Sequence, residues 1–161
     1  MNDTGIHSRS DDHVLRQLIG CAWTVVGLLA RRRLHRDPGT VGDTAALPDG
    51  RSFTIFRDTT CDETATGEPV TLAVWFRLKG VPAGARIRRW LFERESILNT
   101  LLYAGFAGYR RKRWMVDPVT SEYAGLYDWI GADAAEHYAR YITSVLRPLS
   151  VPGSVGYQIV R

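Results

Sequence analysis

Two stretches of eight residues, Tyr109–Val116 and Tyr123–Ile130, flank the hexapeptide Asp117-Pro118-Val119-Thr120-Ser121-Glu122. Both stretches are rich in aromatic and β-branched residues, and an Asp-Pro step opens the segment between them. That combination predicts an antiparallel hairpin with a four-residue loop over Pro118–Ser121. If Asp117 pairs with Glu122, the register of the whole hairpin follows. Lys112 then lies opposite Tyr127, and Trp114 lies opposite Gly125. Side chains alternate along a strand, so these four share one sheet face with Trp129. A bulky indole is expected to cover the glycine, and one lysine to meet a phenol.

The flanking segments extend the pattern. Val70–Leu78 (VTLAVWFRL) is apolar on both faces and reads as a central strand. Ala85–Tyr103 carries a 3.6-residue stripe and reads as a helix, interrupted by Arg94 between Leu91 and Leu98. Ala132–Leu146 reads as a second helix ended by Pro148, and Val155–Val160 as a last strand. The order is β-α-β-β-α-β, the split βαβ arrangement, which predicts an α+β, ferredoxin-like domain. Arg51–Asp58 alternates as a short strand. The polar run Asp58–Pro69 reads as a loop and the best boundary. The expected division is residues 1–58, an N-terminal helical extension with a short strand, and residues 59–161, the ferredoxin-like domain.

The extension contains Leu18–Ala30, thirteen residues without a charge. This is shorter than the ~20 residues a spanning helix needs. It reads as a buried or dimer-contacting helix within about 12–34. Because Arg31, Arg32 and Arg33 follow it, peripheral membrane contact through residues 18–33 is the alternative. The two cysteines, Cys21 in the apolar run and Cys61 in the polar loop, form neither a disulfide framework nor a metal motif, and a reduced cytoplasmic chain is expected. Of the 21 basic residues only Lys79 and Lys112 are lysines. A net charge of +4 does not by itself indicate a nucleic-acid partner.

Several side chains are candidates for chemistry. Trp114, Tyr127 and Trp129, with Trp75 from the central strand and Tyr141 from the second helix, suit a planar, partly polar ligand. Lys112, Arg94 and His137 are the candidate catalytic groups, able to stabilise an enolate or phenolate in a dry site. His137 stands one helical turn from both Asp133 and Tyr141, a spacing that allows a carboxylate-oriented base. No phosphate-binding glycine loop follows a strand, no metal-ligand spacing occurs, and no nucleophile elbow is present, so no cofactor and no metal are expected.

The segment Gly108-Tyr109-Arg110-Arg111-Lys112-Arg113-Trp114, followed by Gly125-Leu126-Tyr127-Asp128-Trp129, resembles the core of the YdhR-like monooxygenase family. That pattern runs approximately G-x3-K-x-W, an Asp-containing turn, G-x-Y-x-W and an alanine-rich helix. Ala134, Ala135 and Tyr138 fit the helix. The resemblance spans roughly Val70–Val160; residues 1–58 and the arginines at 110, 111 and 113 fall outside it. It implies a dimeric α+β barrel: a homodimer whose sheets meet face to face, with a pocket between each sheet and its helices. Related barrels include cofactor-independent monooxygenases of polycyclic aromatic or quinone-like compounds. A small oxygenase-like or cyclase/isomerase-like enzyme of secondary metabolism, acting on an aromatic or polyketide-like molecule, is therefore the leading expectation. A nucleic-acid module ranks below it. RNA-recognition domains share the element order, but the partly similar Ala104–Tyr109 precedes the second strand, and the arginines alternate across both strand faces.

Overall fold

The structure, a computed structural model, describes residues 34–62, 65–80 and 106–161. The expected helix over 85–103 and all but Leu34 of the one over 12–34, and with them Arg94, Cys21 and the whole candidate membrane segment 18–33, lie outside these residues. Among the described residues no helix is long and apolar enough to cross a membrane.

The described chain is an α+β arrangement of one antiparallel sheet and one helix. The strands are β1 (Leu34–Arg36), β2 (Thr44–Ala46), β3 (Ser52–Cys61), β4 (Pro69–Phe76), β5 (Tyr109–Val116), β6 (Tyr123–Ile130) and β7 (Gly156–Val160). The helix α1 (Ala132–Leu149) lies between β6 and β7. The order across the sheet is β1-β3-β5-β6-β4-β7, and β2 also pairs with β3.

The hairpin forms in the expected register. Asp117 N donates to the Glu122 carbonyl over 2.9 Å, and Lys112 faces Tyr127 and Trp114 faces Gly125. Its loop is tied by Asp117, whose carboxylate accepts from Val119 N (2.8 Å) and the Thr120 hydroxyl (2.6 Å). The hydroxyl contact, with the two backbone donors, holds the Asp117 carboxyl below its ordinary pKa.

Two bulges decide what each sheet face carries. In β3, Ile55 faces Met115 but Arg57 faces Trp114, so Phe56 is an extra residue. In β5, Tyr109 faces Trp129 but Arg111 faces Asp128, so Arg110 is extra. Each bulge turns the residue beside it onto the other face. Arg57 and Tyr109 thereby join the face that α1 covers. Gly108 permits the second bulge. It sits at φ 85°, and an added Cβ would lie 2.5 Å from the Ile130 carbonyl oxygen.

The helix packs on this face through Ala135, Tyr138, Ala139, Ile142 and Leu146, the i, i+3, i+4, i+7 stripe of an amphipathic helix. The shared core includes Val70, Leu72, Val74, Trp114, Tyr127 and Trp129. The opposite face carries a separate cluster of Phe53, Ile55, Ala73, Met115, Ala124 and Leu126, closed by Leu47.

Three local expectations are corrected. The loop expected from Asp58 does not begin there: β3 continues to Cys61, Asp58 is wholly buried, and the proposed boundary between 58 and 59 falls inside the strand. Leu34, the end of the expected first helix, opens β1 instead. Helix α1 runs through Pro148 to Leu149. Its last carbonyls are capped from outside, because Lys79 N donates to Leu149 O (3.0 Å) and Lys79 Nζ to Pro148 O (3.1 Å).

Candidate functional site

The sheet face under α1 brings four of the predicted residues together. β5 supplies Lys112 and Trp114, and β6 supplies Tyr127 and Trp129. Lys112 is 1% exposed, and its Nζ lies 3.0 Å from the centre of the Trp114 ring and 4.5 Å from that of Tyr127. Burial strips the ammonium of its hydration and lowers the Lys112 pKa well below its ordinary value; the positive Arg57 nearby adds to the effect. The ring faces oppose this by about 0.5–2 kcal/mol. Desolvating a full charge costs several kcal/mol, so the lowering prevails.

Polar atoms cross this buried face in one row. Thr59 of β3 pairs with Lys112, which pairs with Tyr127, and Tyr138 of α1 donates its hydroxyl to the Tyr127 hydroxyl over 3.3 Å. Among the described residues, the buried Thr59 hydroxyl finds no hydrogen-bond partner, and neither does the Trp129 indole N–H. A buried unsatisfied polar group costs about 1–3 kcal/mol. The Thr59 hydroxyl, cross-strand from the buried amine, marks a place where a bound polar group would be favoured.

The rings form a continuous cluster of tilted and edge-on contacts. Trp129 lies 5.1 Å from Tyr138 and 5.8 Å from Tyr109, and Tyr127 lies 5.2 Å from Tyr138. The side chain nearest Gly125 is not the expected indole. The Tyr127 ring fills that space, with Cε2 only 2.8 Å from where a Cβ would stand. The glycine therefore lets the phenol lie along β6 over Gly125, with the Lys112 Nζ 4.5 Å from its ring centre.

The other predicted residues are placed differently. Phe106 stands between the ring cluster and two of them, 5.3 Å from Tyr138, 5.5 Å from Tyr141 and 5.7 Å from His137. Tyr141 is thus one ring removed from the wall, and His137 is on the exposed side of the helix. Trp75 does not join the wall at all. It pairs with Ala124 and packs against the opposite cluster, with the Arg51 guanidinium 5.2 Å above its ring. Sequence parity puts Trp75 out of step with Leu72 and Val74, so the wrong face was assigned to it. Arg94 lies outside the described residues.

Sequence reasoning missed Arg57, Thr59, Tyr109 and Phe106. Arg57 and Tyr109 reach the site only through the bulges. Thr59 does too: alternation from Phe53 and Ile55 would put it on the opposite face, and the shift at Phe56 carries it with Arg57 to the face beneath α1.

The arginines of β5 that face the other way are engaged. Arg111 donates to both oxygens of Asp58, the shortest contact being 2.6 Å, and Arg113 donates to Asp128 over 2.9 Å. The Asp58 contact raises the Arg111 pKa. Thr40 also donates its hydroxyl to Asp58 over 2.6 Å. A groove of about 300 Å³ lies elsewhere, lined by Pro69, Val70, Thr71, Asp128, Val160 and Arg161. Its carboxylate is already held by Arg113 and Thr71, so the Lys112 row is the stronger candidate. Among the described residues no group of three or more His, Cys, Asp and Glu side chains is arranged to hold a metal.

Compared with known proteins, the chain matches no family model, and no curated protein is significantly similar to it.

Proposed function

We propose that this chain is a ferredoxin-like α+β enzyme that binds a planar, oxygen-bearing small molecule on the sheet face beneath α1. In this reading it acts as a cofactor-independent monooxygenase-like or cyclase/isomerase-like enzyme on an aromatic or polyketide-type substrate. The fold part is supported by the strand order β7-β4-β6-β5, all antiparallel, with α1 joining β6 to β7. The resemblance of Gly108–Trp129 to the YdhR-like pattern points the same way.

The observation that carries the function is Lys112, a buried amine held between two aromatic faces. Stacking on Trp114 and Tyr127 would orient a flat substrate. As a carbonyl or phenol oxygen gains negative charge, Arg57 supplies positive charge and the Lys112 amine an N–H donor in a site with little water, where such stabilisation is worth most. An anion formed there is the species that reacts with oxygen or rearranges. The nucleic-acid alternative has less to rest on, because Arg111 and Arg113 already lie against Asp58 and Asp128.

A homodimer belongs to the same proposal. Its expected interface is the second sheet face, where Met115, Ala73 and Ala124 are already buried within one chain. Sedimentation velocity distinguishes the cases. A monomer that still binds ligand removes the dimer and leaves the site.

The binding test is quenching of tryptophan fluorescence by 1,8-dihydroxyanthraquinone, a planar phenolic probe. Trp114→Ala and Tyr127→Ala weaken binding by about tenfold or more, as loss of a buried aromatic contact should. His137→Ala changes it by about twofold or less. Trp114→Phe and Tyr127→Phe serve as variants with smaller effects on folding. Equal affinity in all of these proteins removes the aromatic wall as the site.

A further inference from the structure

We infer that Lys112 is an amine nucleophile that forms a Schiff base with a ketone or aldehyde, so that the substrate is a carbonyl compound. This rests on the ligand site proposed above and assigns its chemistry.

Three observations converge on it. First, the chain is strongly biased to arginine, with 19 arginines against two lysines. Lys112 is flanked by Arg110, Arg111 and Arg113, yet of these four basic positions the one that is buried under the helix holds lysine. Arginine keeps its charge under all ordinary conditions; lysine can lose its proton and react. The other lysine, Lys79, caps the end of α1.

Second, amine nucleophiles are activated by an apolar surround or by a neighbouring cation. Lys112 has both. Trp114 and Tyr127 enclose it, and the β3 bulge turns Arg57 onto its side of the sheet. The direction in which burial and Arg57 move its proton equilibrium agrees.

Third, the row around Lys112 holds hydroxyls suited to the proton movements. Among the described residues, the groups that face it include Arg57 and Thr59 of β3, Tyr127 of β6 and, beyond Tyr127, Tyr138 of α1. Among the described residues the buried Thr59 hydroxyl has no partner, and it would meet the oxygen of the addition product. The reaction balances without an oxidant. The Nζ lone pair forms a bond to the carbonyl carbon, and the carbonyl π pair moves to oxygen, which takes a proton. The nitrogen loses a proton to give the neutral carbinolamine. Protonation and departure of that oxygen as water leaves an iminium ion. Loss of an α-proton then gives an enamine, the carbon nucleophile that a cyclase or isomerase needs.

The test uses acetylacetone, a β-diketone that condenses with unprotonated amines to an enaminone, releasing one water. The intact protein is treated near neutral pH, digested and mapped by mass spectrometry. With two lysines and one terminal amine, every adduct is assignable. Lys112 is expected to label at least about tenfold faster than Lys79, the preference expected of an activated amine. Lys112→Arg abolishes the adduct at that position, and Lys79→Arg leaves it unchanged. Labelling at Lys79 and the terminus with none at Lys112, or equal rates at both lysines, overturns the inference. The wild-type map decides even if a variant fails to fold. Anthraquinone binding without a Lys112 adduct overturns the nucleophile and keeps the ligand site. A Lys112 adduct without anthraquinone binding supports the nucleophile and overturns the aromatic reading.

Discussion

Replacing Lys112 with methionine gives a pH signature that can be worked out in advance. The side chains are of similar length, and methionine suits an aromatic surround. In the folded protein the Lys112 pKa lies well below its ordinary value, first because the amine is buried and second because Arg57 is near. The unfolded chain keeps an ordinary lysine. Between the folded and unfolded pKa values the unfolded state therefore binds one more proton, and wild-type stability rises with pH by up to about 1.4 kcal/mol per pH unit. Below the folded pKa the penalty of burying Lys112 is complete; above the unfolded pKa it is gone. The methionine variant has no such penalty at any pH. Its stability advantage should be greatest and flat at low pH, shrink through the window and level off above the ordinary lysine pKa. Urea unfolding of both proteins across a pH series measures this difference. Other titrating groups are common to both proteins and largely cancel. Arg57→Leu in the wild-type background should narrow the window from its lower end. A difference that stays constant or widens with rising pH would refute the reasoning, since it would mean that Lys112 is held as an ammonium.

Two further stability predictions concern residues away from the lysine. Arg111→Ala should cost about 2–4 kcal/mol, because it leaves the wholly buried Asp58 carboxylate without its main partner, and Asp58→Ala should cost less, because Arg111 is partly exposed and keeps Asp37 3.6 Å away. The double variant should cost less than the two losses combined by about 1–3 kcal/mol, and strict additivity in urea unfolding would show that the pair contributes nothing. Gly108→Ala should cost about 2–4 kcal/mol, from positive φ together with the close Ile130 carbonyl; an unchanged melting temperature in calorimetry would contradict the role given to the β5 bulge.

Much of the hairpin was legible because two local signals agree there. The Asp-Pro loop fixes the register, and alternation then fixes the faces, so Lys112, Trp114, Tyr127 and Trp129 follow without knowledge of the rest. The strands β1 and β2 were not legible. Each has three residues and no apolar periodicity, and each exists because β3 presents an edge to pair with. Asp58 looked like the start of a loop because a charged residue is rarely buried. Its partner Arg111 lies 53 positions away, beyond any local pattern. Trp75 was misplaced for a different reason. β4 is apolar on both faces, so its composition does not say which parity faces the helix.

The two bulges explain why the site has the composition it does. A regular β3 would put Arg57 in step with Ile55, on the face where Asp58 and Asp128 hold Arg111 and Arg113. The extra residue Phe56 instead moves Arg57 across the sheet and sends Asp58 to the face with the arginines. Phe56 itself packs near Trp114, with ring centres 6.4 Å apart. The second bulge does the same for Tyr109, whose hydroxyl donates to the Thr59 carbonyl over 2.8 Å and ties β5 to β3 beside the polar row. One face consequently matches arginines with carboxylates. On the other, a lysine and an arginine stand near each other among aromatic rings and hydroxyls. Placing Lys112 beside Arg57 under a helix disfavours its charged form. Alternation alone would have kept Arg57 and Lys112 on opposite faces, and the bulge that overrides it is the feature of the fold that most directly favours a site for an electron-rich ligand.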